Sequence, residues 1–110
     1  MQRALELRLG GPVNAKAILH LLKRAYEEED IPLTEEQEDA FLALMVNASV
    51  GRAYHAHFHG KEAGFCLVIF YHHVRKGGRA AFIDEFYLLP EMRGKGLAKR
   101  FLRGVLQDLD

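Results

Sequence analysis

Apolar and polar residues alternate from Ala4 to Leu9, a strand pattern that Gly10-Gly11-Pro12 ends. From about Val13 to Glu28 the period lengthens to that of a helix, with Ala15, Ile18, Leu22, Ala25 and Tyr26 on one face. Ile31-Pro32-Leu33 interrupts it. Thr34 and Gln37 then have the spacing of a capping box, which predicts a second helix with Phe41, Leu44, Met45 and Ala48 inward, closed by Asn47 to Gly51. Alternation returns from Arg52 to His59, with Tyr54, Ala56 and Phe58 on one face and His55, His57 and His59 on the other. His59-Gly60-Lys61-Glu62 has the character of a hairpin turn. Gly64 to Val74 is apolar at both parities, as a central strand covered on both sides should be. After the loop Arg75–Arg79, a further strand runs from Ala80 to Leu89 and Pro90 stops it. A last helix starts near Gly94, with Leu97, Phe101, Val105 and Leu109 along its buried stripe. The predicted order is β-α-α-β-β-β-α, one α/β unit around a mainly antiparallel meander.

Length and composition sharpen this picture. A chain of 110 residues with 49% apolar and 27% charged residues has the balance of a single globular domain with one core. Met1 to Glu6 lacks the apolar stretch of a signal peptide, and no run is long enough to cross a membrane, so cytoplasm is the default location. Cys66 is the only cysteine and sits in an apolar run, which suits a small buried filler rather than a nucleophile. Formal net charge is zero, yet the charges are segregated. Glu27 to Asp39 carries eight acidic residues and no basic one, and Arg93 to Arg103 carries five basic residues and no acidic one. Such runs are either solvated faces or surfaces for a cationic and an anionic partner.

Two constellations could carry chemistry. His55, His57 and His59, at i, i+2, i+4, have a spacing able to bind zinc, but with no carboxylate or cysteine partner identifiable nearby they are read first as exposed imidazoles opposite an apolar face. The second is Asp84 to Ala98, where a strand passes through a turn with two glycines directly into a helix. Helix N-termini leave backbone N–H groups unsatisfied and carry partial positive charge, so such a turn is suited to phosphate. Arg93, Lys95, Lys99 and Arg100 surround it with cations. A dinucleotide fingerprint does not fit, because its last glycine is missing and the sheet reads antiparallel; a P-loop lacks its Gly-Lys-Ser/Thr ending.

Arg93-Gly94-Lys95-Gly96-Leu97-Ala98 resembles the Arg/Gln-x-x-Gly-x-Gly/Ala signature of the GNAT superfamily of acetyl-CoA-dependent N-acetyltransferases. It follows a strand ending in aliphatic residues, a proline and an acidic residue, and the element order from Leu5 to Leu109 matches that family's first strand through third helix. Within the superfamily, Ile18-Leu19-His20-Leu21-Leu22-Lys23, Tyr26-Glu27, Leu33-Thr34-Glu35, Gly64-Phe65 and Asp84-Glu85-Phe86-Tyr87 look most like the diamine and polyamine N-acetyltransferase branch.

The resemblance implies a GNAT-like α/β fold, mainly antiparallel, with residues 1–110 forming one partial domain from the first strand to the coenzyme-binding helix. It implies acetyl-CoA as co-substrate, with no metal. Phe86, Tyr87 and Leu88 would offer backbone to the pantetheine arm. Arg93, Gly94, Lys95, Gly96, Leu97, Ala98 and Lys99 would form the pyrophosphate turn. Asp84, with Glu85 as its neighbour on the opposite strand face, would act as general base for the acceptor amine. Tyr26, Glu27 and Glu28 would meet a small cationic amine. The expected partners are that amine and a second copy in a homodimer, with neither nucleic acid nor membrane.

The family's fold continues past its third helix with a fifth strand and further elements, which Asp110 precedes. The implied consequence is an unpaired edge at the fourth strand, beside an apolar face with Phe86 and Leu88. Either the chain is a fragment or a second chain supplies the cover. The remaining alternatives are an inactive coenzyme-binding or self-associating module and, more remotely, a histidine-based metal-binding protein.

Overall fold

The computed structural model describes residues 5–110. Met1 to Ala4, and with them the start of the first predicted strand, lie outside the described residues. The chain forms β1 (Leu5–Leu9), α1 (Ala15–Glu28), α2 (Glu35–Val46), β2 (Gly51–Phe58), β3 (Lys61–His73), β4 (Gly78–Leu88), a 3-10 turn (Pro90–Met92) and α3 (Leu97–Leu109). The four strands make one sheet in the order β1-β2-β3-β4, antiparallel throughout. This is the predicted α/β architecture and element order.

Alternation along β4 places the helices. Glu85 and Tyr87 reach α1, through Tyr26 and Glu28, while Phe86 between them packs on Phe101 of α3 with ring centroids 5.0 Å apart. The α1/α2 pair and α3 therefore lie on opposite faces of the sheet. Ile18, Leu21, Leu22 and Ala25 are buried on one side, and Leu97, Phe101 and Val105 on the other. Leu109, predicted at the end of that stripe, is only half-buried. Both layers explain why β3 is apolar at both parities, since Ala63 to Val68 is completely buried. That burial stops at Val68, however, and Tyr71 near the strand's end is exposed.

Local chemistry sets the boundaries. Thr34 Oγ1 accepts from Gln37 N–H and the Gln37 side chain accepts from Thr34 N–H, closing the predicted capping box. Ala48 falls beyond the end of α2 and is exposed, contrary to the helical extrapolation. His59 and Gly60 have φ of 52° and 78°, the pair of positive values a two-residue hairpin turn requires. At the far end of α3, Asp108 accepts from Tyr54 Oη at 2.6 Å and from Arg52 at 2.9 Å, tying the helix to β2. Burial and this carboxylate push the Tyr54 phenol up to about 12.

Exposed imidazoles on β2 are corrected. His55 is buried, its Nε2 2.8 Å from Glu62, and His57 is half-buried. A register shift between Ala56 and His57 breaks the alternation, and His59 belongs to the turn. Among the described residues no three His, Cys, Asp or Glu side chains gather as a metal site would require. The apolar face expected at Phe86 and Leu88 is also closed, because Leu88 is buried and Phe86 lies against Phe101. Cys66 is fully buried, and desolvation raises its thiol to about 12.

Candidate functional site

The last residues of β4 lead through Pro90–Met92 into Arg93, Gly94, Lys95 and Gly96 before α3 begins. Gly94 and Gly96 have φ of 78° and 74°, so the helix starts at Leu97 rather than near Gly94. Those values place two successive bends in backbone that a side chain would strain. A Cβ at either glycine would meet nothing within 4 Å, so the requirement is conformational and the space around the turn is open. Gly96 is the N-cap and no side chain caps the helix. The first N–H groups of α3, including those of Leu97, Ala98 and Lys99, are therefore aimed out of the helix end without intrahelical partners. Lys95, Lys99 and Arg100 are exposed around them.

Arg93 does something different from these cations. Its Nε donates to Leu88 O at 3.0 Å, its Nη2 donates to Glu28 Oε1 at 2.8 Å, and its guanidinium carbon lies 5.5 Å from the Tyr87 ring centre. Tyr87 Oη donates to the other Glu28 oxygen at 2.5 Å. Hydrogen bonds from Tyr87 and then Arg93 hold the Glu28 carboxyl below the usual carboxylate range. One carboxylate at the end of α1 thus fixes both the end of β4 and the entrance to the turn. Glu28 lies beside the glycine turn and does not line the pocket that Tyr26 faces.

Among the described residues nothing pairs with the edge of β4 beyond β3. Leu89 N–H donates to Ala63 O, so alternation turns the backbone groups of Leu88 and Phe86 toward that edge and those of Tyr87 toward β3. Of the three residues expected to pair with pantetheine, Phe86 turns both backbone groups to that edge and Leu88 has its N–H there, its carbonyl accepting from Arg93 Nε, while Tyr87 faces β3. The Tyr87 side chain instead belongs to the Glu28 network.

A pocket of about 300 Å³ opens between α1, α2 and the β3–β4 pair. Its polar wall is Tyr26, Asp84 and Glu85, and its floor includes Leu22, Phe41 and Leu67. Simple alternation sends Asp84 and Glu85 to opposite faces, and the structure overturns this. Leu67 pairs with Glu85 and Val68 with Ile83, so Asp84 is an extra residue in the ladder. This β-bulge re-aims the chain so that both carboxylates line one pocket. Tyr26 Oη donates to Glu85 Oε2 at 2.8 Å, and burial together with Glu85 raises the Tyr26 phenol to about 12. Asp84 is exposed and has no hydrogen-bond or ion-pair partner among the described residues. Glu27 is exposed and does not line the pocket. Of the proposed amine-contacting trio, only Tyr26 faces it. Gln37 also lines it, a residue the sequence marks only through its capping role.

The family model described as the acetyltransferase (GNAT) family matches residues 15–110. No curated protein matches the sequence. Among solved structures, an integron cassette protein from the mobile metagenome of Cole Harbour Salt Marsh is similar at 25% identity and TM-score 0.84, over 93% of this chain and 68% of its own. A predicted acetyltransferase from Clostridium acetobutylicum, solved with acetyl-CoA, matches at 20% identity and TM-score 0.76, over 94% of this chain and 72% of its own. An aminoglycoside N-acetyltransferase in complex with CoA matches at 15% identity and TM-score 0.74, over 97% and 70%.

Proposed function

This chain belongs to the acetyltransferase (GNAT) family, and we propose that it passes the acetyl group of acetyl-CoA to the primary amine of a small cationic acceptor, a diamine or polyamine. One observation carries the coenzyme reading: an uncapped helix N-terminus behind two glycines of positive φ, adjoining an open strand edge. The residues fit the group. The amides from Gly94 to Lys99 suit a pyrophosphate, with Lys95 and Lys99 adding charge. The edge-facing N–H and C=O of Phe86 and the N–H of Leu88 suit the amides of the pantetheine arm. Arg93 acts by holding the turn. The structures that resemble this one include proteins with acetyl-CoA and with CoA, which supports the same choice.

Acetyl-CoA supplies a thioester whose acetyl group goes to the amine, with CoA leaving as the thiol. An alkylamine is cationic near neutral pH, with a pKa of roughly 10.4, so it must lose a proton before its nitrogen can attack. Asp84 faces the pocket without a partner and accepts that proton, directly or through a water. Glu85, oriented by the Tyr26 hydroxyl, holds the incoming ammonium. The apolar floor takes the acceptor's methylene chain, and the acidic residues at the α1–α2 junction attract cations toward the pocket. An aminoglycoside transferase and a transferase complex with sisomicin stand among the similar structures, which agrees with a polyamino acceptor. We also propose that the chain works as a homodimer.

Calorimetry with CoA tests the coenzyme site. Gly96→Val should weaken binding at least tenfold, because the side chain is strained at this φ and intrudes on the amides; unchanged affinity would remove the assignment. Thiol release with a panel of diamines, polyamines, aminoglycosides and peptides tests the acceptor. Turnover confined to peptides would contradict it, and binding without turnover would leave a coenzyme-binding module.

A further inference from the structure

The β3–β4 hairpin outruns the sheet. Pairing between β2 and β3 ends at Gly51 opposite Ile69, yet β3 continues to pair with β4 through Phe70–Ala81, Tyr71–Ala80, His72–Arg79 and His73–Gly78. Among the described residues the result is a two-stranded extension of the sheet, a ribbon. Tyr71 and Val74 are 40% and 84% exposed on it. From Ile69 to Ile83 the chain has no acidic residue, while Arg75, Lys76 and Arg79 are cationic. The ribbon is thus both apolar and basic.

The complementary surface is on α2. Glu35, Asp39, Leu42 and Val46, at i, i+4, i+7 and i+11, form one outward stripe, and all four are exposed. Its first half is acidic and its second apolar, with Leu42 46% and Val46 75% exposed. At 1.5 Å per residue the stripe is about 16 Å long. From Ile69 to His73 the ribbon spans about 13 Å at strand spacing, and the turn that follows, with Val74, Arg75 and Lys76, extends it toward the length of the stripe.

We propose that the ribbon of one copy docks along the outer face of α2 of a second copy, with Arg75 and Lys76 meeting Glu35 and Asp39, and Tyr71 and Val74 covering Leu42 and Val46. This names the surface of the homodimer proposed above and rests on that reading. The arrangement closes. Phe70 N–H donates to Val50 O at 2.8 Å, which places the C-terminal end of α2 beside the root of the same chain's ribbon. A two-fold axis there lets each ribbon run back along the partner's helix, and closed dimers are the commonest homo-oligomers. Zero net charge favours this partner over nucleic acid, since the acidic run near the helices repels a polyanion.

Sedimentation equilibrium on the full chain tests the proposal. The ribbon variant Arg75→Glu/Lys76→Glu and the helix variant Glu35→Lys/Asp39→Lys should each weaken dimerisation at least tenfold while keeping the native circular dichroism. An equimolar mixture of the two should restore it, because both contacts regain opposite charges in the mixed dimer. A wild-type chain that stays monomeric up to the hundred-micromolar range would overturn the dimer and this surface together. A dimer indifferent to both variants, or a mixture that does not recover, would overturn the surface alone. Tight binding of a single-stranded oligouridylate by a wild-type monomer, lost in the ribbon variant, would assign the ribbon to nucleic acid instead.

Discussion

Replacing Gly64 by alanine should damage the strand end on which the coenzyme reading depends. Gly64 lies opposite Leu88, and a Cβ there would sit 2.0 Å from Tyr87 O and 3.0 Å from Leu88 Cα. Both obstacles are backbone, so no rotamer change relieves the contact and the strands must part by more than an ångström. The nearby bond from Leu89 N–H to Ala63 O, 2.8 Å long, would be lost with at least one neighbour. Two buried backbone hydrogen bonds, each costing about 1–2 kcal/mol when broken without replacement, give about 2–4 kcal/mol. Alanine's smaller unfolded-state entropy offsets about 0.5 kcal/mol of this. Urea unfolding followed by circular dichroism should show a midpoint lower by roughly 1–2 M at the slopes usual for small domains. Gly77→Ala is the control: nothing lies within 4 Å of its Cβ, and its φ of 85° alone sets the cost, roughly 1–2 kcal/mol. Because Leu88 and Phe86 would shift, CoA affinity should fall with Gly64→Ala and hold with Gly77→Ala. If Gly64→Ala were no more destabilising than the control, the close β3–β4 approach would not govern this edge and the reasoning would fail.

Asp84→Asn should lower kcat by about 10²–10³ with little change in KM, whereas Glu85→Gln should act mainly on KM; equal effects of both on kcat would contradict the division of roles. The Glu28 link to Tyr87 and Arg93 should be pH-dependent. Its carboxyl is held below its ordinary value in the folded state, so its contribution is present above the unfolded carboxylate pKa, roughly 4.3, and is lost as pH falls through the lower folded value. Thermal midpoints of wild type and Glu28→Gln should therefore differ at neutral pH and converge on acidification; a constant gap would show that charge at Glu28 is immaterial.

How much of this was legible in the residues depends on the range of the interactions involved. The capping box of Thr34 and Gln37, the His59-Gly60 turn and the doubly apolar β3 are local signals, and the fold follows them. Positive φ at Gly94 and Gly96 is equally local, but it moves the start of α3 to Leu97, because those bends precede the helix instead of opening it. His55 misled because its cover comes from layers distant in sequence, and its partner Glu62 lies across a hairpin whose register shifts at Ala56/His57. Tyr87 and Arg93 lie 59 and 65 residues beyond Glu28 in the sequence. Each alone reads as a surface acid, a strand aromatic and a signature cation, and only their convergence shows a positioning device.

The decisive case is Asp84. A period of two is a property of one strand, and it assigns Asp84 and Glu85 to opposite faces whatever the composition. A bulge is a property of two strands, since it exists only where β3 and β4 fall out of step between Leu67 and Val68. Nothing in the residues from Ala80 to Leu89 announces it: there is no glycine or proline at the irregularity to mark the place. Yet the bulge is what turns two adjacent carboxylates into a pair facing one pocket, one held by Tyr26 and one unpartnered. The motif that identifies the family could be read from spacing. The arrangement that would separate holding an amine from deprotonating it had to come from the pairing of strands.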